Sequence, residues 1–216
     1  MSNEELELNV GDELLWDPKV DEAAIAVSAH HGVITLRGTV GSFRQRQEAK
    51  RDAERVYGVK GVNNELEVRI LSAHRRDDAE LRGAVLQALT LDSLVPTTVD
   101  AIVEDGWITL TGTATWQFER DEAQFLASNL LGVIGVDNQI DLTPPGPDVD
   151  DVEYAIKKAM ERNAKLNADS VSVEGSNGTV TLRGTVSSWA DHDEAVAAAW
   201  AAPGVTRVKD HILVAY

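Results

Sequence analysis

Apolar residues recur along the chain at two periods, helical and alternating, and the order of those periods repeats three times. Leu6, Val10 and Leu14 fall four residues apart behind Ser2-Asn3-Glu4-Glu5, so the spacing predicts a short amphipathic helix opened by a capping box. Pro18 marks the loop beyond it. Ile25, Val27 and Ala29 then alternate with Ala26 and Ser28 as in a half-buried strand, and His30-His31-Gly32 turns the chain. In the next strand Ile34, Leu36, Gly38 and Val40 share one face, and Thr35, Arg37 and Thr39 the other. A second helix is expected from about Ser42 to Tyr57, with Ala49, Ala53 and Val56 inward and Gly58 and Gly61 ending it. Val62, Asn64, Leu66, Val68 and Ile70 alternate as a third strand.

The strand Gly32-Val33-Ile34-Thr35-Leu36-Arg37-Gly38-Thr39-Val40 returns as Gly106-Trp107-Ile108-Thr109-Leu110-Thr111-Gly112-Thr113-Ala114. It returns again as Gly178-Thr179-Val180-Thr181-Leu182-Arg183-Gly184-Thr185-Val186. Each copy is followed at constant distance by a second echo: Gly58-Val59-Lys60-Gly61-Val62, Gly132-Val133-Ile134-Gly135-Val136 and Gly204-Val205-Thr206-Arg207-Val208. Two linked motifs, three times over, mean tandem domains, here bounded at residues 1–71, 77–143 and 148–216. The expected fold class is α+β, three αββαβ domains, each a three-stranded mixed sheet with two helices on one face. The β–α–β crossover makes the second and third strands parallel; strand order stays open. Glu104-Asp105-Gly106 and Ser176-Asn177-Gly178 stand where His30-His31-Gly32 does, pairs suited to positive φ in a tight hairpin. Gly38, in an inward row, predicts close approach of another backbone, and the following helix is the expected neighbour. Asp77 or Asp78 caps the second repeat's first helix, carrying Leu81, Val85 and Leu89. Past the stiff Thr143-Pro144-Pro145-Gly146-Pro147 linker, Asp148 opens the third repeat's, carrying Val152, Ile156 and Met160.

Composition narrows the function classes. The chain has no cysteine, so disulfides and thiolate metal sites are absent. Met1-Ser2-Asn3-Glu4-Glu5 is acidic without an apolar run behind it, and no stretch is long and apolar enough to span a membrane; a cytoplasmic protein is the expectation. The net charge of −16 is deepest over residues 72–143 and opposes nucleic-acid binding, and it opposes broad lipid adhesion unless a local basic patch acts.

Gly-x-Ile/Val-Thr-Leu-x-Gly-Thr-Val/Ala followed by Gly-Val-x-x-Val resembles the signature of the BON family, named for bacterial osmotic-shock and nodulation proteins. The resemblance covers essentially the whole chain. It implies an αββαβ fold and a non-enzymatic role, contact with phospholipid surfaces in osmotic or envelope stress; many members are exported, whereas the acidic N-terminus here sets the expectation of a place in the cytoplasm, peripheral to the inner membrane. Arg207 departs from the pattern, since Gly61 and Gly135 stand at its counterparts.

No catalytic or cofactor motif accompanies these domains, so neither an enzyme nor a bound cofactor is expected. Of His30, His31, His74, His192 and His211, only His192 has polar counterparts, Arg46 and Arg120; all five are expected at the surface without a catalytic role. Gly58–Gly61 and Gly132–Gly135 resemble a phosphate-clamping Gly-x-x-Gly, but between helix and strand they are expected as helix caps. Asp148-Val149-Asp150-Asp151 lacks the ligand alternation of a calcium loop and suits a helix N-terminus. The outer stripe of the second helix differs between repeats: Arg44, Arg51 and Arg55; then Phe118, Phe125 and Asn129; then Ala190, Ala197 and Ala201. The arginines read either as an anionic-lipid patch or as a solvated ion-pair lattice with Glu48 and Asp52. Trp107, Trp116, Phe118 and Phe125, with the alanine stripe as acceptor, form the candidate protein interface, which implies self-association.

Overall fold

The computed structural model describes residues 1–144, 152–162 and 170–216. Asp148, the run Asp148-Val149-Asp150-Asp151 and the linker residues Pro145, Gly146 and Pro147 lie outside the described residues.

In the first repeat α1 (Asn3–Trp16) starts at Ser2, whose hydroxyl accepts the Glu5 N–H at 3.1 Å while the Glu5 carboxylate accepts the Ser2 N–H at 2.8 Å. This reciprocal cap satisfies two of the helix's orphan donors. The 3₁₀ turn Glu22–Ala24 leads into β1 (Ile25–His30), which pairs antiparallel with β2 (Val33–Val40). After α2 (Phe43–Arg55), capped by Ser42, β3 (Gly61–Val68) pairs parallel with β2. The order is therefore β1-β2-β3, with the motif strand in the middle. Leu6, Val10 and Leu14 of α1, Ala49 and Ala53 of α2, Ile34 and Leu36 of β2 and Leu66 of β3 form one buried cluster, so both helices lie on one face. Each large side chain buried there contributes roughly 1.5–3 kcal/mol.

The second repeat runs α3 (Asp78–Leu91), β4 (Asp100–Glu104), β5 (Trp107–Thr111), β6 (Thr113–Ala114), α4 (Gln117–Ser128), β7 (Gly135–Asn138) and β8 (Asp141–Leu142). Its sheet is ordered β4-β5-β7, with a short β6-β8 pair continuing it. Asp77 caps α3, its carboxylate accepting the Glu80 N–H at 2.7 Å. The third repeat runs α5 (Val152–Arg162), β9 (Val171–Ser176), β10 (Thr179–Val186), α6 (Trp189–Trp200) and β11 (Arg207–Val214), with β10 between β9 and β11. The molecule is thus α+β, three αββαβ repeats. Met1–Ala114 and Phe118–Asp141, carrying repeats one and two, form one compact unit; Thr115–Gln117 and Leu142–Tyr216 form another.

The three hairpin turns have positive φ at both central residues: His31 and Gly32, Asp105 and Gly106, Asn177 and Gly178. That is the twist a two-residue hairpin needs. Gly38, Gly112 and Gly184 are close-approach positions, but their neighbour is not the following helix. A side chain at Gly38 would run into the backbone carbonyl of Ala24, just before β1, and Gly112 and Gly184 face the carbonyls of Thr98 and Ser170 in the same way. The first strand pairs up to the glycine itself, Ile25 opposite Gly38 and Val171 opposite Gly184, so the entering chain crosses directly over it. The two glycines of each Gly-x-x-Gly also part company. Gly58 and Gly132 take positive φ after the helix, as a helix stop does, whereas Gly61 and Gly135 open the following strand without it.

Candidate functional site

The outer stripe of α2 differs from its counterparts in the other repeats, and the carboxylates beside its arginines are buried. Glu48 is 3% exposed and Asp52 fully buried, in the crevice between α1 and α2. Burial of this kind is tolerated only with partners. Glu48 Oε1 accepts Arg44 Nη2 at 2.7 Å and Arg51 Nη1 at 3.2 Å. Arg55 Nη2 reaches Asp52 Oδ1 at 2.5 Å and Glu13 Oε1 of α1 at 3.0 Å. Lys19 Nζ closes the crevice from the loop after α1, 3.1 Å from Asp17 Oδ2 and 3.2 Å from Glu48 Oε2. Desolvation pushes the Asp52 carboxyl up to about 6 in spite of Arg55. Asp17, which accepts the Lys19 backbone N–H, is held below its ordinary value, and the hydrogen bonds of Lys19 to Asp17 and Glu48 hold its ammonium above its own. Arg44, Arg51 and Arg55 thus stand in an ion-pair lattice whose acidic half is buried.

Arg44 also ties the first repeat to the second. Its Nη1 donates to Asn129 Oδ1 at 2.8 Å, and its guanidinium carbon lies 5.1 Å from the centre of the Phe125 ring. Phe125 and Asn129 stand on the second repeat at the places of Arg51 and Arg55, so the outer stripes of two equivalent helix segments face each other. A guanidinium on a partly exposed ring contributes about 0.5–1 kcal/mol. A double-mutant cycle of Arg44→Ala with Phe125→Ala, read by urea denaturation, is expected to return a coupling energy of about that size. A coupling of zero refutes the contact.

The other candidate interface residues are dispersed. Phe118 and Phe125 are about half exposed on α4, and Trp116 is half-buried just before it. Trp107 lies on the outer face of β5, and its ring covers Gly135, its register partner on β7, at a spot a Cβ there would fill. This is why the second glycine of that Gly-x-x-Gly is needed in repeat two. Ala190, Ala197 and Ala201 are exposed, while Ala195 and Ala199 form the inner stripe of α6.

Two features escaped the sequence reading. The first is a groove of about 730 Å³ within the first unit, between the end of β3, the Arg75-Arg76 linker and the Asp105-Gly106 turn. Its carboxylates include two engaged with the protein's own backbone: Asp77 caps α3, and Asp78 accepts the N–H groups of Asp105 (2.8 Å) and Gly106 (3.0 Å). Arg69 reaches only the exposed Glu67, at 3.4 Å, and the exposed Arg75 and Arg76 have no carboxylate partner among the described residues. The second is a clasp between second helix and third strand. Asn64 donates to the Arg46 carbonyl at 2.7 Å and Arg46 to the Asn64 carbonyl at 3.3 Å; Asn138 and Arg120 repeat this at 2.9 and 2.9 Å. In repeat three His192 and Asp210 replace the pair, with His192 Nε2 2.7 Å from Asp210 Oδ2 and Nδ1 3.0 Å from Asp193 Oδ1. His192 is therefore a half-buried residue hydrogen-bonded through both ring nitrogens, its side chain only 13% exposed, and an ion-pair partner when protonated.

A family comparison matches the BON domain three times, over residues 2–70, 77–144 and 148–216. Among curated proteins, the osmotically-inducible protein Y of Escherichia coli is 31% identical over 121 residues, which is 54% of this chain and 60% of that protein. The match thus spans about 60% of the length of this relative. Among solved structures, two of CdsD, a structural protein of the type III secretion system of Chlamydia trachomatis, align at TM-scores of 0.27. One is 16% identical and covers 98% of this chain and 92% of its own; the other, the C-terminal domain, is 15% identical with full coverage of both. Among the described residues no helix is long and apolar enough to cross a membrane.

Proposed function

Because this chain belongs to the BON domain family, we propose that it is a non-catalytic binding scaffold of osmotic or envelope stress that contacts anionic phospholipid surfaces through the groove between its first two repeats. The observation that carries this reading is that Arg75 and Arg76 are exposed in a groove with Arg69 and have no carboxylate partner among the described residues. Likeness to an osmotically inducible protein supports the stress setting. Arg51 and Arg55, more than half exposed, form a weaker second contact, since Glu48, Asp52 and Glu13 already balance their charge. The protein acts in the cytoplasm, peripheral to the inner membrane.

At about 1 kcal/mol per basic residue near an anionic surface, such binding is weak and salt-sensitive. Co-sedimentation with phosphatidylglycerol-containing vesicles at low salt is expected to fall about tenfold or more in Arg75→Ala with Arg76→Ala, and much less in Arg51→Ala with Arg55→Ala. Pure phosphatidylcholine vesicles are expected to bind little. Equal binding to both vesicle types, or no binding to either, overturns the reading. A second reading, self-association through repeats two and three, is favoured by the half-exposed Phe118. Light scattering is expected to show a lower assembly state in Phe118→Ser with Phe125→Ser, and a monomeric parent protein refutes it.

A further inference from the structure

The crevice between α1 and α2 gathers three buried carboxylates. Asp17, Glu48 and Asp52 are all buried, and one carboxylate oxygen of each lies within 4.8 Å of those of the others. Oxygens coordinating a single Ca²⁺ ion at about 2.3–2.6 Å are at most about 5 Å apart, so each pair of the three lies within the span of one coordination sphere. All three donors are hard oxygens, the set that suits Ca²⁺ rather than a softer metal. An independent observation points the same way. Asp52 Oδ2 has no hydrogen-bond partner, in a side chain with no solvent exposure. Every other oxygen of the three carboxylates has a partner: Arg44 and Arg51 on Glu48 Oε1, Lys19 Nζ on Glu48 Oε2 and Asp17 Oδ2, the Lys19 backbone N–H on Asp17 Oδ1, and Arg55 on Asp52 Oδ1.

The fold itself does not ask for Asp52. At the matching place on the second helix, repeat two carries Leu126 and repeat three Ala198. An apolar residue there avoids the cost of burying a carboxylate. Lys19 differs from the arginines in one respect. It reaches in from a loop, its side chain is 56% exposed, and its ammonium sits between two of the three carboxylates as a tethered cation.

We propose that Asp17, Glu48 and Asp52 form a Ca²⁺ site in the first repeat, which the Lys19 ammonium occupies until the ion displaces it. Swinging Lys19 outward opens the crevice to water, which completes the coordination sphere. The three arginines stay in place and offset the added charge, so binding is weak, with a Kd of about 10⁻⁴–10⁻³ M, the range of low-affinity calcium modules.

Isothermal titration of CaCl₂ into the full chain, at ionic strength held constant with NaCl, tests the site. Lys19→Met removes the competing cation and is expected to bind Ca²⁺ about tenfold tighter than the parent. Asp52→Asn is expected to weaken binding about tenfold or abolish it. Adventitious binding to a surface of net charge −16 is changed by neither substitution, so unaltered affinity in both overturns the site. Circular dichroism checks each fold. If Asp52→Asn does not fold, Lys19→Met decides alone: tighter binding supports the site, and equal or absent binding overturns it.

Discussion

Gly112→Val is expected to unfold the second repeat, and Gly38→Val and Gly184→Val to do the same to the first and third. Two costs add at each position. The new Cβ runs into a backbone carbonyl, of Ala24, Thr98 or Ser170, which cannot swing aside as a side chain does. Each glycine also sits at positive φ, between 115° and 150°, where a β-branched residue is strained. Overpacking and backbone strain are each worth about 1–3 kcal/mol, and together they rival the whole stability of a repeat of this size. Thermal unfolding followed by circular dichroism should lose about a third of its cooperative signal in each variant, because the repeats are equal in size. Gly38→Ala keeps both the clashing Cβ and the positive φ but drops the branching, and is expected to be milder yet still strongly destabilised. An unchanged melting profile in all three valine variants removes the close backbone approach.

The same glycines show how far the sequence reaches. An apolar row interrupted by glycine at a constant place says that something comes too close for a side chain, and that much was legible. What comes close was not, because the period of a strand does not say whether the following helix or the entering loop reaches it. Only the register, which carries β1 up to the glycine, decides between them. The elements themselves were legible from period and punctuation. Leu6, Val10 and Leu14 are the buried residues of α1, and Ser2 is its cap. The strand order became fixed only through pairing, since antiparallel β1-β2 and parallel β2-β3 place the motif strand centrally whatever the loop lengths.

The charged residues of α2 were the harder case. Arg44, Glu48, Arg51, Asp52 and Arg55 at three- and four-residue spacing read as a solvated lattice, and the pairs do form. Periodicity alone cannot reveal that α1 and the loop bearing Asp17 and Lys19 lie over the acidic half of that face. A charge pattern reports which residues neighbour each other along one helix, not which of them a second helix covers. The clasp, by contrast, left a trace. Asn64, Asn138 and Asp210 each follow their motif glycine by 26 residues, and Arg46, Arg120 and His192 each follow it by 8. Two polar positions that vary together across the repeats signal a contact, and here the contact is real.

That substitution of Arg and Asn by His and Asp leads to the second large effect, a pH dependence that the clasp of the third repeat has and the clasps of the other two lack. Asp193 and Asp210 each hydrogen-bond a ring nitrogen of His192, and the imidazolium is the form that donates from both. Desolvation acts in the opposite direction, but the two carboxylates outweigh it and hold the His192 pKa above its ordinary value of 6.5. A folded pKa above the unfolded one means that the folded state binds the proton more tightly. The stabilisation is therefore complete below about pH 6.5 and is lost as pH rises through the folded pKa. In repeats one and two the matching clasp uses an arginine, which keeps its charge, and an asparagine, which has none, so it does not titrate in this range. Charge-assisted hydrogen bonds of this kind contribute about 1.5–3 kcal/mol, a sizeable share of one small domain. Hydrogen exchange read by mass spectrometry between about pH 6 and 9, corrected for intrinsic rates, is expected to show α6 and β11 losing protection relative to α4 and β7 of the second repeat, which has Leu126 where the first has Asp52, as pH rises. The double substitution His192→Arg with Asp210→Asn installs the clasp of the other repeats and should flatten that dependence. If α6 and β11 keep constant relative protection across the range, or the double substitution leaves the dependence intact, the His192–Asp210 pair is not what titrates.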